Sequence, residues 1–350
     1  MQRQIKVLIV DDSVLIRRLI ARALEAEKDF KVAGNAANGQ EALSLVRSLR
    51  PDVVTMDVEM PVMDGLEALR RLMRESPVPV VMLSAHTTEG ARVTMEALSA
   101  GAVDFVAKPS RSAETGVMMA ELVSKLRVAA RASVTRLPGP VLRPRPPQTG
   151  AAPVPAAGQR ADLVVIGSST GGPSALHKLL PALPKNLRAG VVVVQHIPVG
   201  FSGPMAEHLN RNSALAVKHA ANGDQVQPGQ ALVAPAGSDL VFRRSGSGAV
   251  IQLLPGASPL PPGSFRPSVD GVMISAAAVY GNRVLGVLLT GMGRDGAAGM
   301  SEIKAVRGRT IAEDQSTCVV FGMPKAAIDA GAADIVLPLQ KIAEEIIRQV

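Results

Sequence analysis

The chain has 350 residues, 47% of them hydrophobic and 19% charged, a globular composition long enough for two cores rather than one. With no tryptophan and one tyrosine it lacks the stacking platforms of single-strand nucleic-acid binders, so a nucleic-acid partner is not expected. The net charge of +8 is uneven: residues 1–126 carry 16 Lys/Arg against 17 Asp/Glu, residues 127–160 carry 6 against none, and residues 161–350 carry 16 against 13, so the basicity sits mainly in a connector that reads as a self-repelling, solvated segment.

From Lys6 to Lys125, short β-branched runs alternate with helical patterns, as in parallel βαβ units. The runs are Val7–Val10, Val32-Ala33, Val53–Met56, Val80–Leu83 and Phe105-Val106. Leu15, Leu19 and Ala23 with Ile16, Ile20 and Leu24 make one apolar helical face, and similar faces occur at Ala42–Leu49, Leu66–Met73 and Ala91–Leu98. A five-stranded, doubly wound parallel sheet of flavodoxin-like type is expected over residues 1–126.

Residues 127–160 carry seven prolines, Pro138, Pro140, Pro144, Pro146, Pro147, Pro153 and Pro155, among Ala, Gly and Arg; that density removes helix and sheet donors and predicts a linker. A second α/β alternation starts at Leu163–Ile166 and continues through Val191–Val194, Ala231–Val233 and Val284–Leu289, giving a second doubly wound, mostly parallel domain over residues 161–350. Its stretch from Val241 to Pro262 reads as an antiparallel hairpin excursion. No internal repeat links the halves. The single Cys318 forms no intramolecular disulfide, Met1-Gln2-Arg3-Gln4 precedes the first strand without a signal peptide, and no apolar run reaches the roughly 18 residues of a spanning helix. A cytoplasmic protein with no direct membrane insertion is the expectation.

Ligands of open parallel sheets bind beyond the carboxyl ends of the strands. In the first domain those positions hold Asp11, Asp12, Asp57, Ser84 and Lys108. Three carboxylates at one edge repel unless a cation lies among them, and all-oxygen ligation suits Mg²⁺; a hydroxyl and an ammonium beside the metal suit a phosphoryl group. Asp57 is the candidate nucleophile, giving an acyl phosphate. Lys108 precedes Pro109, where a cis bond would turn the lysine toward the cluster. Each of these residues, alone, also reads as a solvated strand end or a cap, Ser13 as an N-cap above all. His86 reads as a partly exposed loop histidine rather than a ligand.

In the second domain, Gly167-Ser168-Ser169-Thr170-Gly171-Gly172 lies between a strand and a helical pattern, with G-x-S-x-G spacing around Ser169. Such a turn either exposes a nucleophilic hydroxyl or cradles a phosphate. His196 and Asp295 come after other strands, so the three can converge at one edge as nucleophile, base and orienting carboxylate. The order Ser, His, Asp differs from that of ordinary α/β-hydrolases. The Met292 N–H is a candidate oxyanion donor, or part of a flexible loop; His177, His208 and His219 read as structural.

These motifs carry two resemblances. Val7–Ser13, Met56–Gly65 and Phe105–Pro109 resemble the motifs of response-regulator receiver domains, which implies a phospho-accepting Asp57 supplied by a histidine kinase, with Ser84 and Phe105 rearranging on phosphorylation. Ile166–Gly172, Gln195–Pro198, Arg266–Asp270, Leu289–Gly296 and Phe321–Pro324 resemble the chemotaxis receptor methylesterase family, CheB. That resemblance implies hydrolysis of glutamate γ-methyl esters on the cytoplasmic helices of chemoreceptors, with glutamine deamidation as a second activity and no cofactor for the esterase reaction. It implies Ser169, His196 and Asp295 as the catalytic residues and Thr170 and Met292 as supporting ones. Arg294 stands where the family commonly has Asn. The alternative is a receiver fused to a nucleotide- or DNA-binding output module.

Overall fold

The computed structural model describes residues 3–109, 111–132, 160–246, 248–256 and 265–350. Most of the expected linker, 133–159, and the end of the expected hairpin excursion, 257–262, lie outside them.

The first unit runs β1 (Ile5–Val10), α1 (Val14–Glu25), β2 (Phe30–Ala36), α2 (Gly39–Leu49), β3 (Val53–Asp57), α3 (Gly65–Glu75), β4 (Val80–Ser84), α4 (Thr88–Ser99), β5 (Asp104–Ala107) and α5 (Thr115–Ala129). Its five strands are parallel in the order β2-β1-β3-β4-β5. Val7–Val10 are fully buried because helices cover both faces of the sheet. Polar caps fix where the first four helices start: Ser13, Asn38, Asp64 and Thr87 each accept from the amide three residues on. In α1 the buried positions are Ile20 and Leu24, whereas Leu15, expected on the apolar face, is 66% exposed. Leu15 lies in the first turn of α1, beyond the carboxyl end of β1, where the sheet has ended. α5 continues through Ala129, whose methyl is buried in this core.

The second unit runs β6 (Leu163–Ser168), α6 (Gly172–Leu179), β7 (Gly190–Gln195), α7 (Ser202–Asn212), β8 (Ala216–His219), β9 (Gln230–Val233), β10 (Ser238–Ser245), β11 (Gly248–Pro255), α8 (Val269–Tyr280), β12 (Val284–Leu288), α9 (Ala297–Ala305), β13 (Arg309–Glu313), α10 (Met323–Asp329), β14 (Ile335–Leu337) and α11 (Leu339–Gln349). Seven parallel strands take the order β14-β13-β12-β6-β7-β9-β8, and β10 and β11 form a separate antiparallel hairpin. β8, β13 and β14 carry no long apolar run and are additions to the sequence reading. From β6 the chain first builds toward β7, β9 and β8, then returns to build β12, β13 and β14 on the other side. The switch point is therefore the crevice between β6 and β12, the place where such sheets bind ligands.

The two units pack together. α4 lies against α6 and α7, and one continuous apolar cluster includes Met95 and Leu98 of α4 with Leu176, Leu179, Met205 and Leu209 of α6 and α7. Phe105 of β5 and Phe201 at the start of α7 have ring centroids 4.7 Å apart and are 2% and 1% exposed. Ser99 Oγ of α4 and His208 Nε2 of α7 lie 2.9 Å apart. On the other flank, Ser124 of α5 donates to Met292 Sδ over 3.5 Å, and Val319 packs against the core of the first unit. Among the described residues no helix is long and apolar enough to cross a membrane.

Candidate functional sites

At the carboxyl edge of the first sheet, Asp11 and Asp57 are 0% and 4% exposed, Asp12 is exposed, and carboxylate oxygens of all three lie within 4.8 Å of one another. Lys108 Nζ is 2.7 Å from Asp57 Oδ2 and 2.9 Å from Asp11 Oδ2. Asp11 Oδ2 is buried and meets the Lys108 ammonium as an ion pair. Two buried acids, a third carboxylate beside them and an open cleft of ≈ 490 Å³ lined by Asp12, Asp57, Glu59 and Lys108 fit a hard, oxygen-liganded cation such as Mg²⁺. Burial pushes the Asp57 carboxyl up to about 6, against the lowering effect of Lys108 and with a further push from Asp11 and Asp12. Lys108, despite burial, is held above its ordinary value by Asp57 and Asp11.

Lys108 reaches the carboxylates without a cis bond: among the described residues the only cis peptide is Arg266–Pro267. Ser84 is fully buried, with its hydroxyl 2.7 Å from Thr94 Oγ1 on α4, so one element links the strand end to the helix facing the second unit. His86 is exposed in its loop, and its ring meets Phe201 edge-on at 5.7 Å. Gly65 is required by close approach, since a Cβ there would lie 1.9 Å from the Asp57 carbonyl oxygen.

In the second unit, parallel pairing sets Ser168 beside Gln195, which brings the next residues, Ser169 and His196, to adjacent strand ends. The buried Gln195 side chain ties them: its amide donates to the Ser169 carbonyl at 2.8 Å and the His196 carbonyl at 2.9 Å, while its own oxygen accepts from Ser168 Oγ at 2.6 Å. Gly171 turns the chain at φ +78°, and Ser169 is 8% exposed. Across the crevice, Thr290 after β12 accepts from Ser169 N at 3.1 Å and donates its hydroxyl to the Thr170 carbonyl at 3.0 Å. Buried Glu313 accepts from Thr290 N at 2.8 Å, and burial holds its carboxyl above the usual range. Met292, 49% exposed, stands at the rim.

His196 Nε2 lies 2.8 Å from Asp295 Oδ2, and its Nδ1 is buried without a partner. With Nε2–H donated to the carboxylate, Nδ1 is the nitrogen left to take a proton. The Phe265 ring stacks on the imidazole at 4.0 Å, nearly parallel at 9°. Asp295 sits at the N-terminus of α8, where it accepts from Ser268 Oγ at 2.9 Å, Val269 N at 2.8 Å and Asp270 N at 2.9 Å. Although burial opposes it, the His196 bond, then the Asp270 and Val269 amides, bring its carboxyl down to about 2. A fixed carboxylate, a histidine with one free basic nitrogen and a serine on the adjacent strand end can perform acyl transfer.

Strand ends thus bring together Asp11, Asp12, Asp57 and Lys108 at one edge, and Ser169, Thr170, His196, Met292 and Asp295 at the other. Gln195 and Ser268–Asp270 belong to motifs that the sequence displays, yet their grip on the site is visible only in three dimensions; Phe265 and Glu313 carry no comparable signal. The histidines read as structural lie on α6, α7 and β8. Burial lowers all three, His177 to about 3 with its neighbour His208 contributing.

Both units are similar to known proteins. The CheB methylesterase family matches residues 164–346, and the response regulator receiver domain family matches residues 7–119. A protein-glutamate methylesterase/protein-glutamine glutaminase of Symbiobacterium thermophilum is 46% identical, the match covering 100% of this chain and 98% of that one. One of the same name from Pyrococcus abyssi is 44% identical over 99% of this chain and 94% of its own. The crystal structure of the Thermotoga maritima CheB methylesterase catalytic domain is 44% identical with a TM-score of 0.52, covering 54% of this chain and 99% of that one.

Proposed function

The chain belongs to the CheB methylesterase family and joins that catalytic unit to a response regulator receiver; from this we propose that Ser169, His196 and Asp295 hydrolyse glutamate γ-methyl esters of chemoreceptors under the control of Asp57. It is a protein-glutamate methylesterase of the kind that also deamidates glutamine. In this reading the receiver covers the expected residues 1–126 and runs on through α5 to Ala129, the tether expected over 127–160 begins after that helix, and 161–350 are the catalytic domain.

His196 Nδ1 takes the proton of Ser169 Oγ as the oxygen attacks the ester carbonyl; the imidazolium then protonates the leaving methanol, or ammonia from a glutamine. Water, activated by the same nitrogen, releases the glutamate and returns the proton to Ser169. Asp295 orients the ring and stabilises the imidazolium. Thr170 supports the turn through the Thr290 bond, and the Met292 amide is our assignment for an oxyanion donor. The observation that carries this reading is the Gln195 tie between serine and histidine together with the Asp295 bond.

At the receiver, a histidine kinase is the phosphodonor and Asp57 the acceptor. Asp11, Asp12 and Asp57 would hold a Mg²⁺, which would supply positive charge to offset the carboxylates and the incoming phosphoryl oxygens. Lys108 pairs with the phosphoryl group. Ser84 exchanges Thr94 for it, and the shift passes to α4 and Phe105, both of which touch the catalytic domain. Because α5 and Val319 bring the receiver beside the loops flanking Ser169, a docked receiver limits receptor access, and phosphorylation shifts the population toward release. In this reading the protein acts in the cytoplasm, on the cytoplasmic helices of its receptors. An output module binding nucleotide or DNA is not supported: the catalytic unit matches an esterase family, and Val319 fills the space over the Gly171 turn.

A serine-directed phosphonate tests the assignment. The adduct maps to Ser169 and Ser169→Ala removes both the adduct and methanol release from methylated receptors; label on another residue, or methanol release by the variant, contradicts it.

A further inference from the structure

The motif Arg266–Asp270 supplies no reacting group, yet its last three residues form a two-way clasp with the loop that carries Asp295. In one direction, Ser268 Oγ and the amides of Val269 and Asp270 hold the Asp295 carboxylate. In the other, Asp270 Oδ1 accepts from Gly296 N at 2.9 Å and Gly299 N at 2.6 Å, the amides that open α9 immediately after Asp295. The two helix N-termini are thus crossed, each receiving a carboxylate from the other's segment. The contact is tight: a Cβ on Gly299 would lie 3.1 Å from Asp270 Cα and 2.6 Å from Met273 Cβ, and one on Gly296 would lie 2.9 Å from Val269 Cγ1.

Without the return half, Asp295 would sit on a loop with glycines on both sides, Gly293 at φ +91° and Gly296 at φ +99°. Three donors aimed at a carboxylate orient it only if the backbone bearing it is fixed. Asp270 is the group that fixes it. The cost is a second buried carboxyl near Asp295; burial first, then that like charge, holds Asp270 above the usual carboxylate range.

We infer that Asp270 is a positioning residue for the esterase reaction: by gripping the amides of Gly296 and Gly299 it sets the Asp295 carboxylate against His196, and Ser268 completes the grip from the opposite side. This rests on the reading of Asp295 as the orienting carboxylate. Asp270 touches neither substrate nor imidazole, so its effect falls on kcat rather than KM and is transmitted only through Asp295.

The test is a double-mutant cycle on the full chain, with rates normalised to phosphonate-titratable serine so that misfolded protein does not count. Asp270→Ala lowers kcat by up to about 100-fold, the scale of a misplaced catalytic group, with KM essentially unchanged. Asp270→Asn, which keeps an acceptor oxygen for the two amides, recovers most of the loss. Added to Asp295→Asn, Asp270→Ala has little further effect, because the group it positions is already gone. Equal fold-losses from Asp270→Ala in both backgrounds, or an Asp270→Asn variant as poor as Asp270→Ala, overturn the inference. If Asp295→Asn alone leaves kcat unchanged, it is the orienting role of Asp295 that fails. Ser268→Ala is the second entry to the cycle: it lowers kcat in the native background and not in Asp295→Asn, and a loss in both counts against the clasp.

Discussion

The domain contact makes a quantitative prediction at Ser99→Ala. Ser99 Oγ and His208 Nε2 are 2.9 Å apart across the interface; His208 is 8% exposed, and its Nδ1 is already without a partner. Deleting the hydroxyl leaves both ring nitrogens unpaired in the docked state, and stranding a buried polar group costs about 1–3 kcal/mol. The cleft beside it, ≈ 540 Å³ and lined by Ser99, His177, Lys178 and His208, admits water, which favours the lower end. About 1 kcal/mol weakens docking roughly fivefold. The assay is methanol release from methylated receptors by unphosphorylated protein, in an Asp57→Asn background that removes phosphorylation as a variable. Basal activity rises up to about fivefold, limited by the activity of the phosphorylated native protein. Unchanged basal activity, with the variant folded, refutes the argument that this contact restrains the enzyme.

Burial and close packing make further predictions. With the Asp57 carboxyl at about 6 against an ordinary value near 3.8, the folded receiver disfavours the ionised form, so at pH 7 without metal this carboxylate costs about 3 kcal/mol. Asp57→Asn therefore raises the thermal stability of the metal-free protein at pH 7, and the gain shrinks as pH falls through the folded value and disappears below about pH 3, where the native carboxyl is protonated in both states; a gain independent of pH contradicts the assignment. For Asp295 the sign reverses: its contribution is present above the ordinary carboxylate value and is lost as pH falls toward about 2, so Asp295→Asn destabilises at pH 7 but not at pH 2, as unfolding curves at the two pH values will show. Gly172→Ala would put a Cβ 2.1 Å from Gln195 Oε1 and spoil the tie between Ser169 and His196; we expect at least about a tenfold loss of kcat together with a lower Tm, as overpacking costs about 1–3 kcal/mol. An alanine variant with native kinetics would show that the Gln195 tie is dispensable.

How much of this was legible in the sequence depended on the element. The central strands announce themselves, since Val7–Val10, Leu163–Ile166 and Val191–Val194 are covered on both faces and apolar throughout, and Val53–Met56 departs from that only at the buried Thr55. The edge strands Ala216–His219 and Ile335–Leu337 are short and partly exposed, and Arg309–Glu313 places a threonine and a glutamate in the interior, where hydrogen bonds rather than apolar side chains satisfy them. None of the three has the pattern of a buried strand. The convergence of the candidate site residues was legible because parallel strands deliver the residues at their carboxyl ends to one edge, a rule that needs only strand positions. The clasp of Ser268 and Asp270 on Asp295, the stacking of Phe265 on His196 and the Ser99–His208 contact join segments far apart in the chain, and no periodicity encodes such pairings. Leu15 misled in the other direction: helical spacing put it with Ile20 and Leu24, but the helix extends past the sheet that would have covered it.

Whether Asp57 governs a Ser169 esterase is decided by methanol release from methylated chemoreceptors with and without a small phosphodonor and Mg²⁺. A phosphodonor-stimulated rate is expected in the native chain, an unstimulated basal rate in Asp57→Asn, and none in Ser169→Ala. Stimulation that survives Asp57→Asn, or hydrolysis that survives Ser169→Ala, would contradict that control and that chemistry respectively.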